Sequence, residues 1–183
     1  MARLKYNDLN SAPEKSKPHL EATQKKLGSI PNIFKSMANS PAALGTYGAI
    51  NNALAESQLT PQIKESIALI MAETNSCQYC LSAHTLIGGK AGLSPDDIAS
   101  AREGTATDPK TKAILKLVKS ILATKGHISD AEFNEAKSAG ITDGEFAEVC
   151  AVIGLNYFTN LFNSLSQNDV DFPKVELRNK KAA

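Results

Sequence analysis

The sequence contains no tryptophan, 5% aromatic residues, and only three histidines and three cysteines in 183 residues. Its formal net charge is +1 at pH 7. A nearly neutral chain without a block of like charge gives no electrostatic reason to expect a nucleic acid or an anionic membrane as a partner. No apolar run is long enough to cross a bilayer. We therefore expect no nucleic-acid partner and no membrane partner.

The N-terminal residues also lack the apolar stretch of a signal peptide. Three cysteines without such a signal indicate a reducing, cytoplasmic location, where a cysteine pair is more often catalytic or metal-binding than structural. A chain of this length with 42% hydrophobic residues can bury a core without disulfide staples. We expect a single domain over residues 1–183, with a core at about 25–165 and tails at 1–18 and 168–183.

Helix signals recur along the chain, and strand signals are nearly absent. Ser40-Pro41 and Thr60-Pro61 are typical helix starts, with a capping residue followed by proline. Between such starts the apolar residues recur at helical spacing, as from Ile114 to Leu122. These patterns predict an all-α fold, a compact antiparallel domain of about eight helices that assembles through buried helices. The candidate helices lie at 19–27, 31–38, 41–56, 61–75, 77–90, 95–103, 109–125, 130–138 and 143–165.

The last of these segments, 143–165, is apolar on more than one face, which is typical of a helix buried in the fold or in a subunit interface. Cys150 within it is expected to be buried, inert packing. Asn156, Asn160 and Asn163 need hydrogen-bond partners if they are buried. We expect these asparagines to make structural hydrogen bonds. The alternative is that they line a pocket.

The residues from Cys77 to His84 read Cys-Gln-Tyr-Cys-Leu-Ser-Ala-His and carry most of the chemical information in the chain. If they begin a helix, Cys77, Cys80 and His84 share one face. Glu65 lies twelve residues before Cys77 on the preceding predicted helix. A thiol pair, an imidazole and a carboxylate can together perform disulfide chemistry with a proton relay.

Two assignments of the attacking sulfur follow from this spacing. The positive end of the helix dipole stabilises a thiolate at Cys77, which makes Cys77 the nucleophile and Cys80 the resolving residue. Alternatively, His84 acts as a base one turn away from Cys80, and Cys77 resolves. We favour Cys80, because the histidine is a specific partner and the dipole is a generic one.

Two other uses of such a motif are a zinc site and a haem site. A structural zinc site would need Cys77, Cys80, His84 and Glu65 to form a tetrahedral set from only two helices. A c-type haem site needs a histidine directly after the second cysteine, and Leu81 stands there. We therefore expect no bound cofactor.

Glu65, Cys77-x-x-Cys80 and His84, at this spacing, resemble the signature of the alkylhydroperoxidase D family within the carboxymuconolactone decarboxylase superfamily. The flanking stretches 28–34 and 59–61 are similar to those of its peroxidase-related members. The resemblance covers about residues 25–165. It implies an all-helical fold that assembles as a trimer or hexamer.

The resemblance also implies thiol peroxidase and disulfide reductase activity. It makes Cys80 the sulfur that attacks a hydroperoxide, Cys77 the resolving sulfur, and Glu65 and His84 the proton relay. It further implies a dithiol or a lipoylated protein as electron donor. One position departs from the pattern, because Tyr79 stands where the best-known members have a second histidine. A phenol is a hydrogen-bond donor at neutral pH but not a base.

Two further functional classes stay open from the sequence. A decarboxylase of the lactone-processing branch does not require a Cys-x-x-Cys pair, which argues against it here. A redox-sensing or interaction protein without turnover would use the same pair.

Overall fold

The computed structural model describes residues 2–178 and contains, within that range, α-helices and short 3-10 turns but no β-strand. The all-α prediction is confirmed, and each of the nine candidate segments coincides with one helix. These are α1 (Lys17–Leu27), α2 (Asn32–Met37), α3 (Pro41–Ala53), α4 (Pro61–Thr74), α5 (Gln78–Lys90), α6 (Pro95–Glu103), α7 (Pro109–Thr124), α8 (Asp130–Ser138) and α9 (Asp143–Ser166). The 3-10 turns lie at Glu14–Ser16 and Leu54–Glu56. No helix in the described range has the length and hydropathy needed to span a membrane.

The helix starts follow directly from local side-chain chemistry. The Thr60 hydroxyl accepts the backbone N–H of Ile63 at the start of α4, and a proline occupies the first turn. At the start of α9, Thr142 and Glu145 form a reciprocal capping box. Each such cap satisfies backbone donors that the first turn of a helix leaves without a partner. This is why the predicted and observed helix starts agree closely.

Helix α4 lies at the centre of the domain, packed against α5, α6, α7 and α9. Every residue from Ser66 to Ala72 is buried. A helix with apolar side chains around its whole circumference is buried on all sides. Glu65 directly precedes this buried run and therefore lies at the edge of the core.

The chain reverses between α4 and α5 within three residues. Ser76 adopts a left-handed conformation with φ of 55°, and the Cys77 N–H donates to the Ala72 carbonyl at 2.8 Å. Such a reversal satisfies the last carbonyls of α4 and places Cys77 directly at the start of α5. The two helices approach closely at Gly88, where an added Cβ would lie 3.7 Å from the Glu65 Cβ. The hairpin therefore sets Glu65 beside the middle of α5.

Helix α9 has one buried and one exposed face. Val149, Val152 and Ile153 face the core together with three asparagines. Cys150, however, is exposed, so the prediction that Cys150 is buried is wrong. The apolar residues of α9 exceed what one packing face can cover, and the surplus lies on the outside, where Leu161 and Leu165 are 65% and 64% exposed.

Both ends of the chain, predicted as tails, pack on the domain where they are described. The Arg3 N–H donates to the Ser166 carbonyl at 2.7 Å. Residues 167–178, called here the C-terminal segment, run back over the domain and pack apolar side chains against the core: Val170, Phe172, Val175 and Leu177. The packed region therefore extends beyond the predicted 25–165. The remaining residues of the predicted tails, Met1 and 179–183, lie outside the described part.

Candidate active site

Cys77 and Cys80 form a disulfide at the N-terminus of α5. Cys77 is the capping residue of the helix, and its Sγ accepts the backbone N–H of Cys80 at 3.2 Å. Their Cα atoms are 5.3 Å apart, a separation that one turn at a helix start provides and a disulfide requires. Each residue is 3% exposed. The predicted convergence of the two sulfurs is therefore present, in a nearly buried position.

His84 and Glu65 form the second contact of the site. The His84 Nδ1 lies 2.8 Å from the Glu65 Oε2, with side-chain exposures of 22% and 17%. An ionised carboxylate only accepts hydrogen bonds, so Nδ1 carries the proton and Nε2 is left as the acceptor. His84 stands one turn after Cys80 on the same face of α5. This arrangement can take up a proton near the sulfur and exchange it with water.

Asn163 on α9 reaches the disulfide. Its Nδ2 donates to the Cys80 Sγ at 3.3 Å, and its Oδ1 accepts from the Asn168 Nδ2 at 2.8 Å. The other two asparagines have local or structural partners. Asn156 donates to the Val152 carbonyl, and Asn160 accepts from Asn75. Of the three amides singled out in the sequence, one therefore belongs to the site and two serve the fold.

Tyr79 faces away from the relay and binds the C-terminal segment. Its hydroxyl donates to the Asp171 Oδ1 at 2.7 Å and accepts the Ile33 N–H at 3.2 Å. Its ring meets Phe172 edge-on, with centroids 5.5 Å apart. Burial, opposed by the Ile33 N–H and reinforced by Asp171, raises the pKa of Tyr79 well above its ordinary value. The phenol is therefore neutral across the physiological range, and its hydroxyl joins α5 to the C-terminal segment and to Ile33.

The C-terminal segment crosses the face of α5 opposite to Cys80 and His84. The Val175 N–H donates to the Ser82 Oγ at 3.1 Å, and the Gln78 amide donates to the Val175 carbonyl. A groove of about 360 Å³ lies beside this crossing. It is lined by residues of α5 and of the segment, none of them a cysteine of the pair: Ser82, Thr85, Leu86, Gly89, Lys90, Pro173 and Val175.

The structure joins the four predicted residues in two contacts, Cys77 with Cys80 and His84 with Glu65. Sequence reasoning missed Asn168 and Asp171, because both lie in a stretch interpreted as a tail. The apolar residues of that stretch were the available signal, since a solvated tail has no need of Val170, Phe172 and Val175. The partner of each polar side chain, by contrast, depends on the tertiary fold and leaves no local pattern.

The zinc alternative depends on a cluster of possible metal ligands. Within residues 2–178 no three histidine, cysteine, aspartate or glutamate side chains lie together as ligands for an ion. The sulfurs of Cys77 and Cys80 are bonded to each other. The zinc alternative therefore lacks a ligand cluster in this part of the chain.

Comparisons with known proteins bear on the family and the fold. The carboxymuconolactone decarboxylase family matches residues 41–107, which include α4, α5 and the Cys77–His84 stretch. Comparison with curated protein sequences gives no significant match.

Solved structures match over nearly the whole chain. A peroxidase-related protein from Ralstonia eutropha JMP134, described as an alkylhydroperoxidase AhpD core, is 21% identical, with a TM-score of 0.84 over 93% of this chain and 92% of that one. A peroxidase-related protein from Silicibacter sp. TM1040 is 25% identical, with a TM-score of 0.79 over 91% and 89%. The debrominase Bmp8 has the same fold at 20% identity, with a TM-score of 0.77 over 92% of each chain.

The fold implied by the resemblance at Glu65, the cysteine pair and His84 is thus confirmed, and the matched family is the one that the resemblance names. Residues 41–107 match the carboxymuconolactone decarboxylase family, and the chain has the alkylhydroperoxidase D-like fold of the peroxidase-related proteins.

Proposed function

We propose that this protein is a thiol-dependent peroxidase that reduces hydroperoxides through the Cys80 thiolate and a Cys77–Cys80 disulfide. The observation that carries the proposal is the disulfide at the start of α5, with the His84–Glu65 pair one turn further along the same helix face. Electrons come from a dithiol, either a small molecule or a lipoylated protein. Because the cycle needs reduced thiols, the cytoplasm is the location that suits it.

In the first half of the cycle, the Cys80 thiol gives its proton to the His84 Nε2, and Glu65 stabilises the resulting imidazolium. The thiolate then attacks the terminal oxygen of the hydroperoxide, the one that carries the hydrogen. A sulfur–oxygen bond forms as the oxygen–oxygen bond breaks, so that Cys80 becomes a sulfenic acid and the peroxide is reduced by two electrons. The departing alkoxide or hydroxide takes the proton back from His84 and leaves as an alcohol or water.

In the second half, the Cys77 sulfur attacks the Cys80 sulfenic acid. The disulfide forms, and the hydroxyl group leaves as water with the Cys77 proton. A donor dithiol then exchanges with this disulfide, becomes a disulfide itself and returns both cysteines to thiols. The 5.3 Å Cα separation lets the bond form and break without rearrangement of α5.

The test is peroxide consumption by the purified protein with cumene hydroperoxide and dihydrolipoamide. We expect multiple turnovers in the parent and none in Cys80→Ser. Cys77→Ser should react once, leaving a sulfenic acid that dimedone traps. The matched control is Cys150→Ser, an exposed cysteine outside the site, which should keep full turnover.

Three other outcomes would contradict the proposal. Equal residual turnover in Cys77→Ser and Cys80→Ser would overturn the assignment of the two sulfurs. A disulfide that forms with peroxide but is not reduced by any dithiol would favour a redox sensor. Conversion of a carboxymuconolactone without peroxide, unaffected by Cys80→Ser, would favour the decarboxylase alternative that the family match at residues 41–107 keeps open.

The proposal includes a homo-oligomer, a trimer or hexamer, with the outer face of α9 as its contact surface. Tyr157, Leu161 and Leu165 follow one another at helical spacing on this face and are 37%, 65% and 64% exposed. Apolar side chains in such a row are typical of surfaces that a partner covers. Light scattering should give a mass several times 19.5 kDa for the parent and a smaller assembly for Leu161→Glu. A monomeric parent would contradict this part of the proposal.

A further inference from the structure

The two sulfurs of the site have different hydrogen-bond donors. The Cys77 Sγ accepts the backbone N–H of Cys80, whereas the Cys80 Sγ accepts the side-chain amide of Asn163, at 3.2 and 3.3 Å respectively. Asn163 is 5% exposed and Cys80 is 3% exposed. The amide therefore meets the sulfur in a place that water hardly reaches.

The orientation of the Asn163 amide follows from its second partner. Its Oδ1 accepts from the Asn168 Nδ2 at 2.8 Å, which leaves the NH₂ end toward the sulfur. A disulfide sulfur or a thiolate can only accept a hydrogen bond, so this orientation satisfies both contacts at once. Asn168 is 8% exposed, and its own Oδ1 has no hydrogen-bond partner in the described structure. A buried pair of amides with one orphaned oxygen is an unusual arrangement that calls for a reason.

We propose that Asn163, held in orientation by Asn168, donates a hydrogen bond to the Cys80 thiolate and makes Cys80 the more reactive of the two sulfurs. An amide donor stabilises a thiolate more than a thiol, because hydrogen bonds to charged acceptors are stronger, especially away from water. It therefore raises the fraction of Cys80 present as thiolate at a given pH. Neither His84 nor the helix dipole is needed for this effect.

The same donor acts when the disulfide is reduced. A donor thiolate attacks the Cys77 sulfur, a new sulfur–sulfur bond forms to Cys77, and the electron pair of the broken bond goes to Cys80. Asn163 stabilises the Cys80 thiolate that leaves. The second thiol of the donor then displaces Cys77 and completes the exchange. The role of Asn163 in turnover rests on the proposed function, whereas its effect on the reactivity of the Cys80 thiol does not.

The test is the pH dependence of iodoacetamide alkylation of Cys80, measured by mass spectrometry of its peptide in the Cys77→Ser background. Asn163→Leu removes the donor and keeps a side chain of similar size. We expect the midpoint of the alkylation profile to rise by about one to two pH units, since a hydrogen bond to a charged group has about that effect. At neutral pH the alkylation rate then falls by about ten- to a hundredfold.

The matched control is Asn156→Leu, on the same helix and equally buried at 5% exposure, whose amide bonds the Val152 carbonyl instead of a sulfur. It should leave the midpoint unchanged. Equal midpoints in the parent and Asn163→Leu would overturn the proposal. So would an equal rise in both variants, because that would mark a general loss of packing.

Should Asn163→Leu fail to fold, Asn163→Asp keeps the shape and the bond from Asn168 while presenting an oxygen to the sulfur. It should raise the midpoint further than loss of the donor does, and an unchanged midpoint would again contradict the proposal. The readout also separates the two proposals. A shifted midpoint without peroxide turnover would support the role of Asn163 and reject the peroxidase. Turnover with an unshifted midpoint would do the reverse.

Discussion

Helix α5 has two faces with different kinds of contact. The inner face carries Cys80 and His84, which meet an amide on α9 and the Glu65 carboxylate on α4. The outer face carries Gln78 and Ser82, which bind backbone groups of the C-terminal segment. Cys80 and Ser82 are two positions apart, yet the first contacts an amide on α9 and the second a backbone N–H of the C-terminal segment.

The difference lies in charge and in access to water. In the proposed function the inner contacts join groups that change protonation or oxidation state, and the His84–Glu65 pair is partly open to solvent. The outer contacts join neutral groups that keep one state across the physiological range. Substitutions on the inner face should therefore change reactivity with little loss of stability. Substitutions on the outer face should lower the stability with little change in reactivity.

The largest effect should come from Glu65→Gln. The amide is neutral and no longer stabilises a positive His84, so proton transfer at Cys80 loses its relay. General acid–base catalysis of this kind contributes about a hundred- to ten-thousandfold, and we expect a loss of peroxide turnover within that range. The measurement is kcat/KM for hydroperoxide at neutral pH, together with the thermal midpoint.

The control is Glu73→Gln, the same substitution on the same helix. Glu73 accepts from Arg102 and from the Arg178 N–H, away from the cysteines. It should lower the thermal midpoint and leave the turnover of the folded protein unchanged. Equal loss of turnover in both variants would mean that Glu65 acts through the packing of α4 and not as part of a proton relay.

Tyr79→Phe should have the largest effect on the outer side. It removes the partner of Asp171 and of the Ile33 N–H while keeping the ring on Phe172. Loss of a buried hydrogen-bond partner costs about 1–3 kcal/mol in the free energy of unfolding. Denaturant unfolding measures this loss. Slower reaction of Cys80 with peroxide in Tyr79→Phe would show that the outer face also affects the chemistry, against the expected difference between the two faces of α5.

The stability of the protein at alkaline pH should depend on two buried tyrosines, Tyr47 and Tyr79. Burial together with the charge of Glu65 raises the pKa of Tyr47 to about 12, and burial raises the pKa of Tyr79 as well. Their ordinary value, taken for the unfolded chain, is 10.0. Below that pH both states keep the proton. Above it the unfolded chain releases a proton that the folded chain keeps, so stability falls as pH rises through that range toward the folded pKa.

Each phenol should contribute a slope of at most about 1.4 kcal/mol per pH unit to this fall. Urea unfolding at a series of alkaline pH values measures the slope. Tyr47→Phe and Tyr79→Phe should each make it shallower, and the double variant shallower still. A slope that neither substitution changes would mean that other groups govern alkaline unfolding.

The helices and the alignment of Cys77, Cys80 and His84 could be predicted from the sequence because their signals are local. Proline after a capping residue sets a helix start, and spacings of three and four residues set a helix face, which is enough to align Cys77, Cys80 and His84. The partners of these residues depend on distant parts of the chain. Asn163 contacts Cys80 across 83 residues, and Asp171 contacts Tyr79 across 92. No local pattern specifies such pairs, and the exposed position of Cys150 likewise depends on which face of α9 meets the core.

The smallest expected effect is that of Ser82→Ala. Its hydroxyl is fully buried, accepts the Val175 N–H and donates to the Gln78 carbonyl. One ordinary hydrogen bond contributes about 0.5–1.5 kcal/mol, so overall stability should fall by no more than that. The local effect should be clearer, because the C-terminal segment loses one of its anchors and trypsin should cleave faster after Lys174. Ser138→Ala is the control, since that hydroxyl has only the local bond to the Asn134 carbonyl. If cleavage after Lys174 stayed at the parent rate while Cys80 alkylation changed, the outer face would take part in the chemistry, and the division of α5 into two faces would fail.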